Sequence, residues 1–143
     1  MLAATLMATL FVSGCATPMG AAFTTAEAAP EGQAQVYLYR KSAYYARAQN
    51  SRVQLNNQGM GELFNGSWMR ITLAPGEHLL GVKPGHISKT YETKLQLVDK
   101  QTQYVEFELP HLLLANVFML GSDITQRTLD QGVADMQGLK AVK

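Results

Sequence analysis

From Ala34 onward the chain is built of short runs in which apolar and polar residues alternate. Trp68 to Leu73 shows this most cleanly: Met69, Ile71 and Leu73 fall on one face, Trp68, Arg70 and Thr72 on the other. A period of two marks a half-buried strand. The same period predicts strands over Ala34 to Arg40, Arg52 to Asn56, Met60 to Phe64, His78 to Lys83, Tyr91 to Val98 and Gln103 to Leu109. In the last of these Val105, Phe107 and Leu109 should face inward and Tyr104, Glu106 and Glu108 outward. Turn-forming residues stand between the runs. Asn57-Gln58-Gly59 offers a glycine for positive φ, Asn65-Gly66-Ser67 turns again, and Ala74-Pro75-Gly76-Glu77 has type II composition. About seven strands so arranged predict a mainly all-β fold, an antiparallel immunoglobulin-like sandwich over 34–143.

Both ends depart from this pattern. Asp130 is placed to cap a short C-terminal helix running to about Lys140, with Val133, Met136 and Leu139 near one stripe. Gly132 and Gly138 weaken such a helix, so it would need packing to persist. Leu112 to Leu120 is nearly all apolar but too short to cross a bilayer. It reads as a buried strand or flap, or else as a patch that meets a partner or lipid. Ala16 to Gln33 shows no hydrophobic period and reads as a flexible tether of roughly 23 Å reach.

Ahead of that tether, Leu2 to Val12 is an apolar run of signal-peptide length, followed by Val12-Ser13-Gly14-Cys15. That tetrad resembles a bacterial lipobox. Small side chains flank the bond to be cut, and the thiol of Cys15 can form a thioether to a diacylglycerol, which with further palmitate-type acyl chains would moor the protein to a membrane. On this reading 1–14 is a signal peptide, 15–33 is a lipidated cysteine with its tether, and Ala16 in place of an aspartate directs the protein to the periplasmic side of an outer membrane. No Lys or Arg precedes the run, so the positive start of the signal would lie upstream or be the amino terminus itself. The competing reading, an ordinary N-terminal helix with a buried cysteine, fits poorly with Ala16-Thr17-Pro18 directly behind it.

Composition narrows the function further. The chain has 143 residues, one-domain length, with 47% hydrophobic and 16% charged residues. A net charge of +1 supplies no field for nucleic acid. Cys15 is the single cysteine, which excludes an internal disulfide and, if acylated, a catalytic thiol. His78, His86 and His111 lack the spacings that bring metal ligands together. No Gly-x-Ser-x-Gly elbow or phosphate-cradling loop occurs. Glu106 and Glu108 share a strand face but read as a solvated edge. These residues point away from an enzyme and call for no cofactor or metal.

One constellation suggests binding: Tyr37, Tyr39, Arg40, Lys41, Tyr44, Tyr45, Arg47 and Arg52, with Trp68 and Arg70 nearby in pattern. Aromatic rings interleaved with cations can stack on sugars or rest at headgroups. The candidate ligand or partner surface is therefore Tyr39, Arg40, Tyr44, Tyr45, Arg47 and Trp68. The plainer alternative packs the alternating tyrosines against the second sheet and leaves the charges to solvate a loop.

Several segments together carry a family likeness: Val36-Tyr37-Leu38-Tyr39-Arg40, Val53-Gln54-Leu55-Asn56, Gly61-Glu62-Leu63, Asn65-Gly66-Ser67-Trp68 and Pro75-Gly76-Glu77-His78. From about Glu31 to Leu109 the chain resembles the bacterial lipoproteins grouped as domain of unknown function 2846. The Pro75-Gly76-Glu77-His78 turn is also similar to the sandwich repeats of surface proteins named for a Pro-Glu-Gly-Ala motif. Lys41 stands where the family often has proline. The resemblance implies a lipid-anchored β-sandwich of the cell envelope and no reaction. It leaves two roles: a non-catalytic interaction or structural module with an envelope protein as partner, or a glycan- or peptidoglycan-binding domain that uses the tyrosine and arginine loop.

Overall fold

The structure, a computed structural model, describes residues 19–44, 47–85, 88–109 and 123–142. Along the chain come β1 (Met19–Ala22), β2 (Ala34–Arg40), β3 (Ser51–Leu55), β4 (Gln58–Leu63), β5 (Ser67–Leu73), β6 (Gly76–Pro84), β7 (Tyr91–Leu97), β8 (Thr102–Glu108), β9 (Asp123–Arg127), α1 (Leu129–Met136) and β10 (Lys140–Val142). They form an all-β sandwich with one short C-terminal helix. A six-stranded sheet in the order β1-β10-β5-β2-β8-β9 faces a four-stranded sheet in the order β4-β3-β6-β7.

The seven runs of alternating residues are β2 to β8. The described residues add β1, β9 and β10, all short and without a clear period. Two pairings run parallel, β2 with β8 and β10 with β5, so the larger sheet is mixed rather than wholly antiparallel.

Between the sheets lies the main core. Val36 and Leu38 of β2, Val53 of β3, Leu80 and Val82 of β6, Leu95 and Leu97 of β7, and Val105 and Phe107 of β8 fill it. These are the inward positions that the period of two selects. The turns differ in detail. Asn56 (φ 49°) and Asn57 (φ 66°) take the left-handed conformation in the β3–β4 hairpin, and Gly59 lies within β4 instead. Asparagine suits that two-residue turn because its short polar side chain tolerates positive φ.

The outer face of the six-stranded sheet is covered as well. All seven residues of β2 are buried, and Tyr37, Tyr39 and Tyr104 form a second core with Phe23, Met136 and Leu139. Its lid is α1 together with the segment that follows β1. Two expectations are corrected here. Residues after Met19 are not a free tether: β1 pairs antiparallel with β10, and Phe23 is buried with its amide bonded to the Leu139 carbonyl at 2.7 Å. The tyrosines of β2 pack under this lid and not against the second sheet, because Val36 and Leu38 already occupy the face between the sheets.

The helix begins earlier than Asp130. Thr128 caps it, accepting from the Gln131 amide while the Gln131 side chain accepts from the Thr128 amide. This reciprocal capping box satisfies two amides that the first turn leaves without helical partners. Asp130 sits in that first turn, where its charge suits the helix dipole.

Candidate functional site

The most concentrated chemistry among the described residues is a charged cluster on the outer face of the six-stranded sheet. Glu106 lies in β8 opposite Tyr39 of β2 and Thr125 of β9. Its side chain is 2% exposed, so the reading of Glu106 as a solvated edge is overturned. The cause is α1, which covers that face. A carboxylate so enclosed requires compensating charge. Arg127, at the end of β9, donates from Nε and Nη2 to Glu106 Oε2 at 2.8 and 2.7 Å. Lys41, just past β2, places Nζ 2.9 Å from Glu106 Oε1. Asp135 of α1 completes the group: it accepts the Tyr39 hydroxyl at 2.9 Å and lies 3.6 Å from Lys41 Nζ.

Two anions, two cations and a phenol thus balance one another. Burial, then the bond to Asp135 and the charge of Glu106, push the Tyr39 hydroxyl far above the usual phenol range. The bond to Glu106 raises both Lys41 and Arg127 above their ordinary values. Each of these shifts moves the pKa of the group further from 7, so that near pH 7 Lys41 and Arg127 are held as cations and Tyr39 as a neutral phenol. A depression of about 300 Å³ borders the cluster, lined in part by Arg40, Lys41, Ser42 and Glu106.

The proposed aromatic and basic surface does not come together as one patch. Tyr39 is buried and committed to Asp135. Arg40 is 2% exposed and donates from Nη1 to the Gln49 carbonyl at 2.6 Å, which holds the base of the following loop. Trp68 donates from Nε1 to the Leu139 carbonyl at 3.2 Å and meets Phe23 edge-on with ring centroids 5.7 Å apart. Tyr39 and Trp68 serve the second core and Arg40 the base of the loop, a correction to their assignment as a ligand surface. Tyr44 does stand in solvent at 89% exposure, with the Arg47 guanidinium 5.8 Å from its ring centroid. Tyr45 and Cys15 lie outside the described residues, as do His86, His111 and Leu112 to Leu120.

His78 is held by its turn. Its Nε2 donates to the Ala74 carbonyl at 2.8 Å, so Nδ1 accepts from the Asn56 amide nitrogen at 3.1 Å. Among the described residues no group of three or more His, Cys, Asp or Glu side chains is arranged to hold a metal ion, and no helix is long and apolar enough to cross a membrane.

Lys41, Arg127 and Asp135 are the residues that sequence reasoning did not bring to this site. One signal is present: Glu106 stands between Val105 and Phe107, both core residues, and its neighbour on its own face of the strand is Tyr104. No family model, no curated protein and no solved structure matches the chain.

Proposed function

We propose that the chain is a lipid-anchored lipoprotein of the cell envelope, acylated at Cys15, whose sandwich acts as a non-catalytic interaction or structural module on the periplasmic side of an outer membrane. The observation that carries this reading is Val12-Ser13-Gly14-Cys15 directly behind the apolar run Leu2 to Val12. The locked state of Tyr39, Lys41 and Arg127 agrees with a module that carries out no proton transfer. The test is a Cys15→Ser variant expressed in a diderm host and fractionated. The parent should partition with membranes, label with fatty acid and begin at residue 15 by mass. The variant should do none of these. A parent chain that keeps its first fourteen residues with an unmodified thiol would refute the anchor.

A second reading is glycan or peptidoglycan binding through Tyr44 and Arg47, favoured by the exposed ring with a cation beside it. Tyr44→Ala should then abolish retention on peptidoglycan sacculi while leaving the thermal midpoint unchanged. Equal retention of parent and variant would dismiss that reading.

A further inference from the structure

The two long sides of the sandwich are finished differently. On one, β7 is stitched to the larger sheet: Gln126 Nε2 of β9 donates to the Lys94 carbonyl at 3.0 Å, and Gln103 Nε2 of β8 donates to the Gln96 carbonyl at 2.9 Å. Side chains of the larger sheet thereby occupy carbonyls along the β7 edge. Among the described residues the other side is less closely joined: β4 lies near β5, while β10 and β1 continue the larger sheet past it. A mainly apolar cleft of about 410 Å³ results, with Met60, Phe64, Met69 and Val142 in its walls and Glu62 and Arg70 also lining it. The β3–β4 register skips Met60, and this bulge leaves its side chain 43% exposed at the rim. Lys140 of β10 is exposed on the same flank.

The path of the chain indicates what this flank meets. Only four peptide units separate Cys15 from Met19, the first residue of β1, a reach of at most about 14 Å. Since β1 is the outermost strand of this flank, a lipid on Cys15 keeps the flank within this distance of the headgroups. We propose that this flank, formed by β1, β10 and the rim of β4, is the surface that rests on the bilayer, with Met60 reaching the boundary between headgroups and acyl chains and Lys140 facing lipid phosphate. A thioether side chain with three rotatable bonds adapts readily to such a boundary, and an exposed ammonium there matches anionic headgroups. The opposite flank, bearing Lys94 and Gln126, then points away from the membrane. This rests on the lipid-anchor reading.

The experiment uses the full lipidated chain in vesicles of phosphatidylethanolamine and phosphatidylglycerol that carry a headgroup-attached quencher. Since the native thiol is consumed by lipid, Met60→Cys, Lys140→Cys and Lys94→Cys each offer one site for an environment-sensitive fluorophore. Quenching several-fold stronger at positions 60 and 140 than at 94 is the expected result. Flotation with the vesicles but equal quenching at all three, or stronger quenching at 94, overturns the orientation and leaves the anchor standing. An unmodified Cys15 by mass, with no flotation, removes the anchor itself. The second reporter on β10 keeps the test decisive if the Met60 variant fails to fold.

Discussion

Gly132 of α1 lies directly over the ring of Tyr104: a Cβ added at Gly132 would overlap the Tyr104 Cβ and Cγ. The helix can close over the second core only because that position has no side chain. Alanine is the better helix former by about 1 kcal/mol, yet Gly132→Ala should destabilise. Atoms near the backbone of Tyr104 cannot rotate away, and overpacking of this kind costs about 1–3 kcal/mol. Thermal denaturation should show a lower midpoint for Gly132→Ala. A midpoint equal to or above that of the parent would contradict the close approach.

Glu106 holds two cations, and its loss should be felt more than the loss of either. Glu106→Gln is expected to cost about 2–4 kcal/mol, less than orphaning fully buried charges because Lys41 and Arg127 still reach water. Lys41→Ala should cost under about 1 kcal/mol, since its side chain is 46% exposed and Arg127 continues to neutralise the carboxylate. Urea unfolding of both variants checks the order. Equal effects would mean that Lys41 and not Arg127 carries the compensation.

Tyr39 and Tyr104 are neighbours in the second core but differ at the hydroxyl. Tyr39 donates to Asp135, whereas the buried Tyr104 hydroxyl has no partner among the described residues. Tyr39→Phe should therefore lose about 1–2 kcal/mol, and Tyr104→Phe should be neutral or stabilising. Chemical denaturation midpoints compare the two directly.

Burial foremost raises both phenols above the ordinary value of 10.0, and the bond to Glu106 foremost raises Lys41 above 10.5. A raised folded-state pKa means that the unfolded chain releases its proton first. Stability is thus fully present below about pH 10 and falls as the pH climbs above it. Denaturation midpoints should decline on the alkaline side, with tyrosinate absorbance from Tyr39 and Tyr104 appearing only as the chain unfolds. Ionisation of every tyrosine in a still-folded protein would contradict this.

The start of the folded unit can be tested by truncation. A chain beginning at Ala34 loses β1 and Phe23, and removal of a buried phenylalanine side chain alone costs about 3–5 kcal/mol. A chain beginning at Met19 keeps both. The first should be far less stable to urea, with the emission of Trp68, the single tryptophan, shifted to the red. Matching stability of the two would return residues 19–33 to the status of a tether.

The legible parts of the fold were those with a period. Alternation such as Met69, Ile71 and Leu73 in β5 located seven strands and the core between the sheets. It tells which side a residue faces but not whether that side is covered, so Tyr104 and Glu106 fall on the right face with the wrong surroundings, and Tyr37 and Tyr39 read either as a binding surface or as packing against the second sheet. β1, at four residues with two alanines and a glycine, is too short to carry a period, and its position comes wholly from pairing with β10. The parallel pairs were illegible for a related reason: strand order in a sheet follows from tertiary packing. For the helix, Thr128-Leu129-Asp130-Gln131 holds a capping-box pattern that Asp130 alone obscured. The charged site needed three distant segments, and only the fold brings Lys41, Glu106, Arg127 and Asp135 together.

The pairing of β1 with β10 has a consequence for how the protein is made. The earliest described strand acquires its hydrogen-bonded neighbour only when the latest one arrives, so a nascent chain cannot complete its larger sheet, and the second core stays uncapped until the tail has emerged. Neighbouring strands stand about 4.8 Å apart, so a short linker joining Val142 to Met19, with new termini opened between Ser42 and Ala43, would permit a circular permutant of unchanged architecture.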